Sequence, residues 1–227
     1  VNALDDPVSA SLRGAHAGLA IVARRASRYP AEVVPFACLA EPGDAALADL
    51  AQIVSPGEIV ALMNPDPAPG AGWKLLQVLE LRQMVCDAAI QPPEPAHVPR
   101  SLGPEDVPEM LALVEATRPG PFGARTIEMG RYVGFRSGGR LVAMGGERLH
   151  PPGFTEVSAI CTDAAFRGRG LGEAVVRALG AGIQRRGELP FLHVMVGSPA
   201  EATAVGLYQR LGFRERGRGR LAIVQRS

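Results

Sequence analysis

The second half of the chain switches period sharply between strand-like and helix-like patterns. Phe154 to Thr162 alternates as a strand facing a core on at least one side. Leu171, Ala174, Val175, Ala178, Leu179 and Ile183 then recur at three- and four-residue steps, one apolar stripe of a helix that starts near Gly170. Arg185, Arg186 and Gly187 end that stripe with cations and a glycine in the C′ position. The apolar run from Phe191 to Val196 predicts a buried strand. Ser198-Pro199-Ala200-Glu201 predicts a capping box with proline at N1, opening a last helix through Leu207, Tyr208 and Leu211 to Gly212-Phe213.

Upstream, Pro104 to Thr117 places Val107, Met110, Leu111 and Val114 on one helical face. Arg118 to Gly123 reads as an irregular loop. Arg131 to Arg136 and Arg140 to Leu149 read as hairpin strands around Ser137-Gly138-Gly139. Among the first residues, Asp5-Asp6-Pro7 caps a short helix, and Leu47, Leu50, Ala51 and Val54 mark a second one within Asp44 to Val54. Glu58 to Met63 and Trp73 to Val85 read as strands around a turn-forming stretch from Asn64 to Gly72. Between the halves, Gln91 to Pro99 holds four prolines, which forbid regular pairing and predict a stiff linker. The expected organisation is an N-terminal α/β domain over residues 1–95 and a second domain over 96–227.

The most informative local sequence is Arg167-Gly168-Arg169-Gly170-Leu171-Gly172, set between the predicted strand and its helix. Three glycines at alternate positions leave backbone N–H groups uncovered where a helix begins, and the macrodipole adds positive charge there. Such a loop cradles phosphate. A dinucleotide-binding fingerprint needs a third glycine where Glu173 or Val175 stands, and a Walker A loop needs a lysine that is missing. Arg167, Gly170 and Gly172 instead realise Arg-x-x-Gly-x-Gly. That pattern resembles the pyrophosphate-binding signature of the GCN5-related N-acetyltransferases (GNAT). Ala204-x-x-Leu207-Tyr208-x-x-Leu211-Gly212-Phe213 resembles the second hallmark of the same family. The resemblance covers roughly Pro99 to Ser227 and is nearest to the FR47-like branch, through Glu156-Val-Ser-Ala-Ile160-Cys161-Thr162-Asp163.

The resemblance implies an α/β fold with a mixed sheet and a coenzyme A-dependent acyl transfer, most simply of acetyl to a primary amine in a ternary complex. It implies that Arg167, Gly168, Arg169, Gly170, Leu171 and Gly172 hold pyrophosphate. It also implies that the main chain of Ile160, Cys161 and Thr162 hydrogen-bonds pantetheine like an added strand. Tyr208 stands where the family places the acid that protonates the coenzyme A sulfur; a core aromatic is the alternative. Glu156 stands as a candidate general base, or else as a structural partner of an arginine such as Arg148. Phe122, in the loop that lines the acceptor pocket of such enzymes, is either an acceptor contact or a core aromatic. At Glu201 the family usually carries an asparagine that contacts the cofactor, and a carboxylate near pyrophosphate is electrostatically awkward. The first domain lacks the glycine motif, which fits either a degenerate acetyltransferase-like half or a packing domain that walls the acceptor site.

Composition narrows the partners. The 227 residues carry 24 Lys and Arg against 23 Asp and Glu, so bulk charge favours neither nucleic acid nor an anionic membrane surface. The resemblance then implies a small-molecule or peptide amine as acceptor, and a monomer or homodimer is the expected state. Cys38, Cys86 and Cys161 have no metal-ligand spacing and read as reduced thiols. Cys161 reads as a small hydrophobe rather than an acyl-carrying nucleophile. The histidines His16, His97, His150 and His193 are scattered, so no metal is expected. Without a signal-like N-terminus or a long apolar run, the expected compartment is the cytoplasm. A larger acyl group of the glycine N-acyltransferase kind, a hydroxyl acceptor, and a non-catalytic acyl-CoA-binding module are the competing readings.

Overall fold

The computed structural model describes residues 2–64, 70 and 72–227. Its first half holds helix α1 (Pro7–Arg13), strands β1 (Ile21–Ala23), β2 (Ala26–Arg28) and β3 (Phe36–Leu39), helix α2 (Asp44–Ala51), and strands β4 (Ile59–Met63) and β5 (Trp73–Val85). After the prolines come β6 (Arg100–Leu102), α3 (Val107–Thr117), β7 (Tyr132–Ser137), β8 (Arg140–Glu147) and β9 (Phe154–Thr162). The chain ends with α4 (Leu171–Arg185), β10 (Leu189–Met195), α5 (Glu201–Arg210) and β11 (Arg214–Arg226).

Local chemistry sets most boundaries. Asp6 caps α1 by accepting from the Ser9 N–H at 2.9 Å, one of the donors a helix start leaves unpaired. The β7–β8 hairpin turns on Gly138 and Gly139 at φ 56° and 81°, the left-handed pair that a two-residue hairpin needs. In α4, Ala174, Val175, Leu179 and Ile183 of the predicted stripe are buried together with Val176, while Leu171 and Ala178 are only partly covered. Each of the buried valine, leucine and isoleucine side chains contributes about 1.5–3 kcal/mol through removal from water.

All eleven strands share one sheet, in the order β1-β2-β3-β4-β11-β5-β10-β9-β8-β7-β6. The sheet therefore runs unbroken across the proline-rich segment, and β5 from the first half lies between β10 and β11 of the second. The central order is palindromic. Parallel crossovers β3–α2–β4 and β9–α4–β10 stand on either side of the long antiparallel pair β11–β5. On β5, Met84 joins the core beneath α4 and α5 while Val85 joins that beneath α1. Ala222, opposite Val78 in the same alternation, belongs to the core under α2. Helices α2, α4 and α5 therefore cover one face, and α1 and α3 the other. The linker lies along α4, where the Ile90 N–H donates to Gln184 Oε1 at 2.8 Å.

Three expectations are corrected. Ser198 does not cap the last helix: α5 begins at Glu201 with Ala200 in the cap position and no side-chain bond there. Glu201 Oε2 instead accepts from the Gly197 N–H at 2.7 Å. The basic stretch Arg214 to Arg220, which by its sequence alone reads as a solvated terminal hairpin, is instead the first half of β11, paired with β5 apart from a bulge at Arg216. Strands β1, β2, β3 and β6, of three or four residues each, were not foreseen. The turn expected within Asn64 to Gly72 lies mostly outside the described residues.

Candidate active site

The loop after β9 reaches α4 through two left-handed glycines, Gly168 at φ 74° and Gly170 at φ 75°. Gly170 is the N-cap and offers no side chain, so the first-turn N–H groups of α4 have no side-chain cap. That is the local arrangement that accepts an anion. Arg167 and Arg169 flank it, both exposed. The Arg167 Nε donates to the Thr162 carbonyl at 3.3 Å, and the Arg169 guanidinium lies 4.8 Å from the Phe166 ring centre. Leu171 and Gly172 are the first residues of the helix. A cavity of about 560 Å³ opens beside Gly170 and Arg169, with Pro92, Pro93 and His97 of the linker on its far wall.

Strands β9 and β10 pair only over Phe154–Glu156 and Leu189–Phe191. Beyond that apex they part, and Val157 to Thr162 has β8 on one edge and, among the described residues, no strand on the other. A bulge shapes this edge: Ala159 and Ile160 together oppose Gly145, and Ala159 sits at φ 54°. A positive φ at a non-glycine in mid-strand is strained and turns the local peptide groups out of register. Gly145 permits it, because a Cβ there would meet Ile160 Cδ1 at 2.2 Å. Ile160 packs toward α4 and Cys161 toward α3, which leaves main-chain groups of Ile160, Cys161 and Thr162 at the open edge. Burial pushes the Cys161 thiol up to about 11, so it remains protonated and packs as a small hydrophobe.

Glu156 is fully buried at the apex of the V. Arg148 grips it with two bonds, Nε to Oε2 at 2.8 Å and Nη2 to Oε1 at 2.9 Å. Burial alone would raise its pKa, but the Arg148 charge, with hydrogen bonds from Arg148 and His193, holds the carboxyl down to about 2. Of the two readings of Glu156, this geometry matches the pairing with Arg148. Tyr208 lies in the core under α4 and α5, its ring 5.8 Å from that of Phe213. Burial pushes its phenol up to about 12, which keeps its proton available to a stronger base. The Glu201 carboxylate is committed to Arg82 of β5 at 3.1 Å as well as to Gly197, which offsets its negative charge. Phe122 is partly buried against Tyr132, ring centres 5.6 Å apart.

The chain is similar to known proteins in sequence and in fold. The FR47-like protein family model matches residues 132–221. The N-alpha-acetyltransferase RimI of Mycobacterium tuberculosis is 40% identical over 89 residues, which is 38% of this chain and 53% of that relative. The match thus spans about half the length of the curated relative. A crystal structure from Novosphingobium aromaticivorans, of a protein assigned to the GNAT family of acetyltransferases, superposes with a TM-score of 0.91 at 36% identity over 100% of both chains. The chain belongs to the GCN5-related N-acetyltransferase family. Over residues 132–221 its match is to the FR47-like branch. A GCN5-related N-acetyltransferase from Kribbella flavida, 20% identical with a TM-score of 0.64, covers 98% of this chain and 95% of its own, and shares the fold.

Within this GNAT fold, one functional candidate escaped the sequence. His193 follows the apex on β10, and its Nδ1 lies 2.7 Å from Glu156 Oε1. Its Nε2 lies 3.1 Å from Gln83 Nε2 on β5. The available signal was a pair of polar residues, Glu156 and His193, each interrupting a strand that otherwise reads as core. No helix among the described residues is long and apolar enough to cross a membrane.

Proposed function

We propose that this chain transfers an acetyl group from acetyl-CoA directly to a primary amine. The observation that carries the reading is the junction of two features. An uncapped helix start framed by Gly168 and Gly170 adjoins a strand edge left open from Val157 to Thr162. The first suits a pyrophosphate, and the second suits an extended amide chain such as pantetheine. The cavity beside Gly170 suits the adenosine end. Acetyl-CoA bound this way would bring its thioester toward the bulge at Ala159, where displaced N–H groups can donate to the carbonyl oxygen as it becomes an oxyanion.

In this reading Tyr208 gives its proton to the leaving sulfur. Glu156, ionised and without solvent contact, positions its neighbours rather than abstracting a proton itself. The first half acts as an acetyltransferase-like half without a cofactor loop, which walls the acceptor side of the sheet. The relative's name, an N-alpha-acetyltransferase, favours an α-amine of a peptide or of an amino-acid derivative as acceptor.

The test is release of free coenzyme A from acetyl-CoA in a panel of simple alkylamines, glycinamide and an alanyl peptide. Amine-dependent release is expected, together with an acetylated product by mass. Tyr208→Phe should lower turnover about ten- to a hundredfold with acetyl-CoA affinity unchanged. No release with any amine would overturn the reading.

A further inference from the structure

On the α1 face of the sheet a cavity of about 140 Å³ lies where the two halves meet, lined by Leu4, Asp5, Met63, Gln83, His193 and Arg216 among others. Among the described residues, His193 is the one that both borders the V between β9 and β10 and lines this cavity. Its hydrogen bonds define its proton. Arg216 Nη1 donates to Gln83 Oε1 at 2.8 Å, so the Gln83 nitrogen must be turned the other way. That nitrogen donates to the Leu4 carbonyl at 2.9 Å and has a second hydrogen for His193 Nε2. Nε2 therefore accepts, and the single imidazole proton sits on Nδ1, donated to the Glu156 carboxylate. Arg148 on the far side holds that carboxylate in place. The chain from Arg148 through Glu156, His193 and Gln83 to Arg216 orients the imidazole, with Nδ1 toward Glu156 and Nε2 toward Gln83, which lines the cavity beside it.

We propose that His193 is the proton acceptor for the attacking amine, that the cavity is where the amine end of the acceptor enters, and that Glu156 is the positioning residue of His193. The proposal rests on the acyltransferase reading above and names the base that reading leaves open. The neutral amine replaces the Gln83 N–H at Nε2, one donor for another. As its nitrogen bonds to the thioester carbon, its proton passes to Nε2. The C–S bond breaks, the electron pair leaves on sulfur, and sulfur takes the Tyr208 proton. The proton on His193 returns through solvent to the Tyr208 phenolate, so amine and acetyl-CoA give amide and free thiol with nothing left over. The imidazolium formed in transit faces the Glu156 carboxylate, which stabilises it where it forms.

His193→Asn is the informative variant, because its amide N–H can replace the Nδ1–H toward Glu156 while no base remains. With the best amine of the panel, under conditions where chemistry limits the rate, kcat should fall about a hundredfold. Acetyl-CoA affinity by calorimetry and melting temperature should stay at the parent values. His193→Ala should recover part of its lost rate when imidazole is added, a readout that a structural histidine would not move. Parent-like turnover in His193→Asn overturns the proposal while leaving the acyltransferase reading intact. If that variant does not fold, His193→Gln is read in the same way. A parent enzyme that releases no coenzyme A overturns both.

Discussion

The crossover β3–α2–β4 and the crossover β9–α4–β10 occupy matching places in the sheet, one on each side of β11 and β5, yet they differ wherever chemistry is concerned. In the second, β9 runs on from Glu156, its last residue paired with β10, to Thr162, and the two strands part. In the first, β3 pairs with β4 through Ala37 and ends at Leu39. The second crossover enters a fifteen-residue helix through Arg167, Arg169 and uncovered glycines, and the acid of its first turn, Glu173, is paired with Arg177 at 2.8 Å; the first enters an eight-residue helix past Glu41, with Asp44 in its first turn. An anion is drawn to one helix start and repelled from the other. Parallel topology alone makes no cofactor site: length beyond the apex, backbone left bare and the sign of the flanking charge do.

The largest expected effect breaks the difference at the apex itself, where β3 buries apolar side chains and Cys38 but β9 buries Glu156. Arg148→Ala removes the guanidinium that grips that carboxylate and should cost about 3–5 kcal/mol, the range for an uncompensated buried charge. Arg148 also lies 5.0 Å from the Phe36 ring centre on β3, so the loss spreads to the first half. The pH dependence has a definite sign. The folded-state value of Glu156, about 2, lies below the ordinary 4.5. Its contribution is full above the ordinary value and is lost as pH falls from about 4.5 toward 2. Urea midpoints across that window should fall in the parent and stay flatter in Glu156→Gln. Equal slopes would remove Glu156 from the ledger of acid stability.

How legible the molecule was follows the same divide between local and distant causes. The β9 strand, α4 and the glycine loop were readable because period, glycine and charge act within a few residues. The β11 strand was not, because Arg-Gly alternation looks solvated until its partners are known: Arg218 meets Glu80, and Arg214 meets Asp87, each more than a hundred residues away. Ser198 had the right spacing for a capping box, but Arg82 of β5 and the Gly197 N–H draw Glu201 into other bonds. The role of His193 was invisible for a related reason. Its partners Glu156 and Gln83 come from the two strands beside β10, and no spacing along the chain brings the three together. Strands of three residues, such as β1 and β6, are too short to show a period at all.

Next in size is a variant that separates fold from ligand at the α4 start. Gly170→Val is a poor probe, because φ at 75° would strain any side chain. Gly172 is a better position: a Cβ there meets only Thr162 Oγ1, at 3.7 Å. Gly172→Glu removes a helix glycine and places a carboxylate in the first turn, two changes that stabilise α4 by roughly 0.5–1 kcal/mol each. The same carboxylate should repel pyrophosphate and weaken acetyl-CoA binding by roughly a hundredfold or more, on the order of 3 kcal/mol. A variant with an unchanged or higher melting temperature and no detectable heat of acetyl-CoA binding is expected. Parent affinity in a folded variant would take the pyrophosphate away from this loop.

The smallest effect is expected from the other crossover, and it sharpens the comparison from the opposite side. If charge sign were all that silenced β3–α2–β4, neutralising it would create a second site. Glu41→Gln with Asp44→Asn removes both nearby carboxylates while leaving Gly43 as the N-cap of α2. Asp44 is exposed, and its favourable interaction with the helix start is worth roughly 0.3–1 kcal/mol; Glu41 lies 3.8 Å from Arg25 in an exposed pair worth less still. Stability should therefore drop by no more than about 1 kcal/mol. Calorimetry should still give one acetyl-CoA per chain, because β3 and β4 offer no open edge of the length that β9 presents. A second equivalent in this variant would mean that electrostatics alone separates the two crossovers, and that the shorter strands are no obstacle to the cofactor.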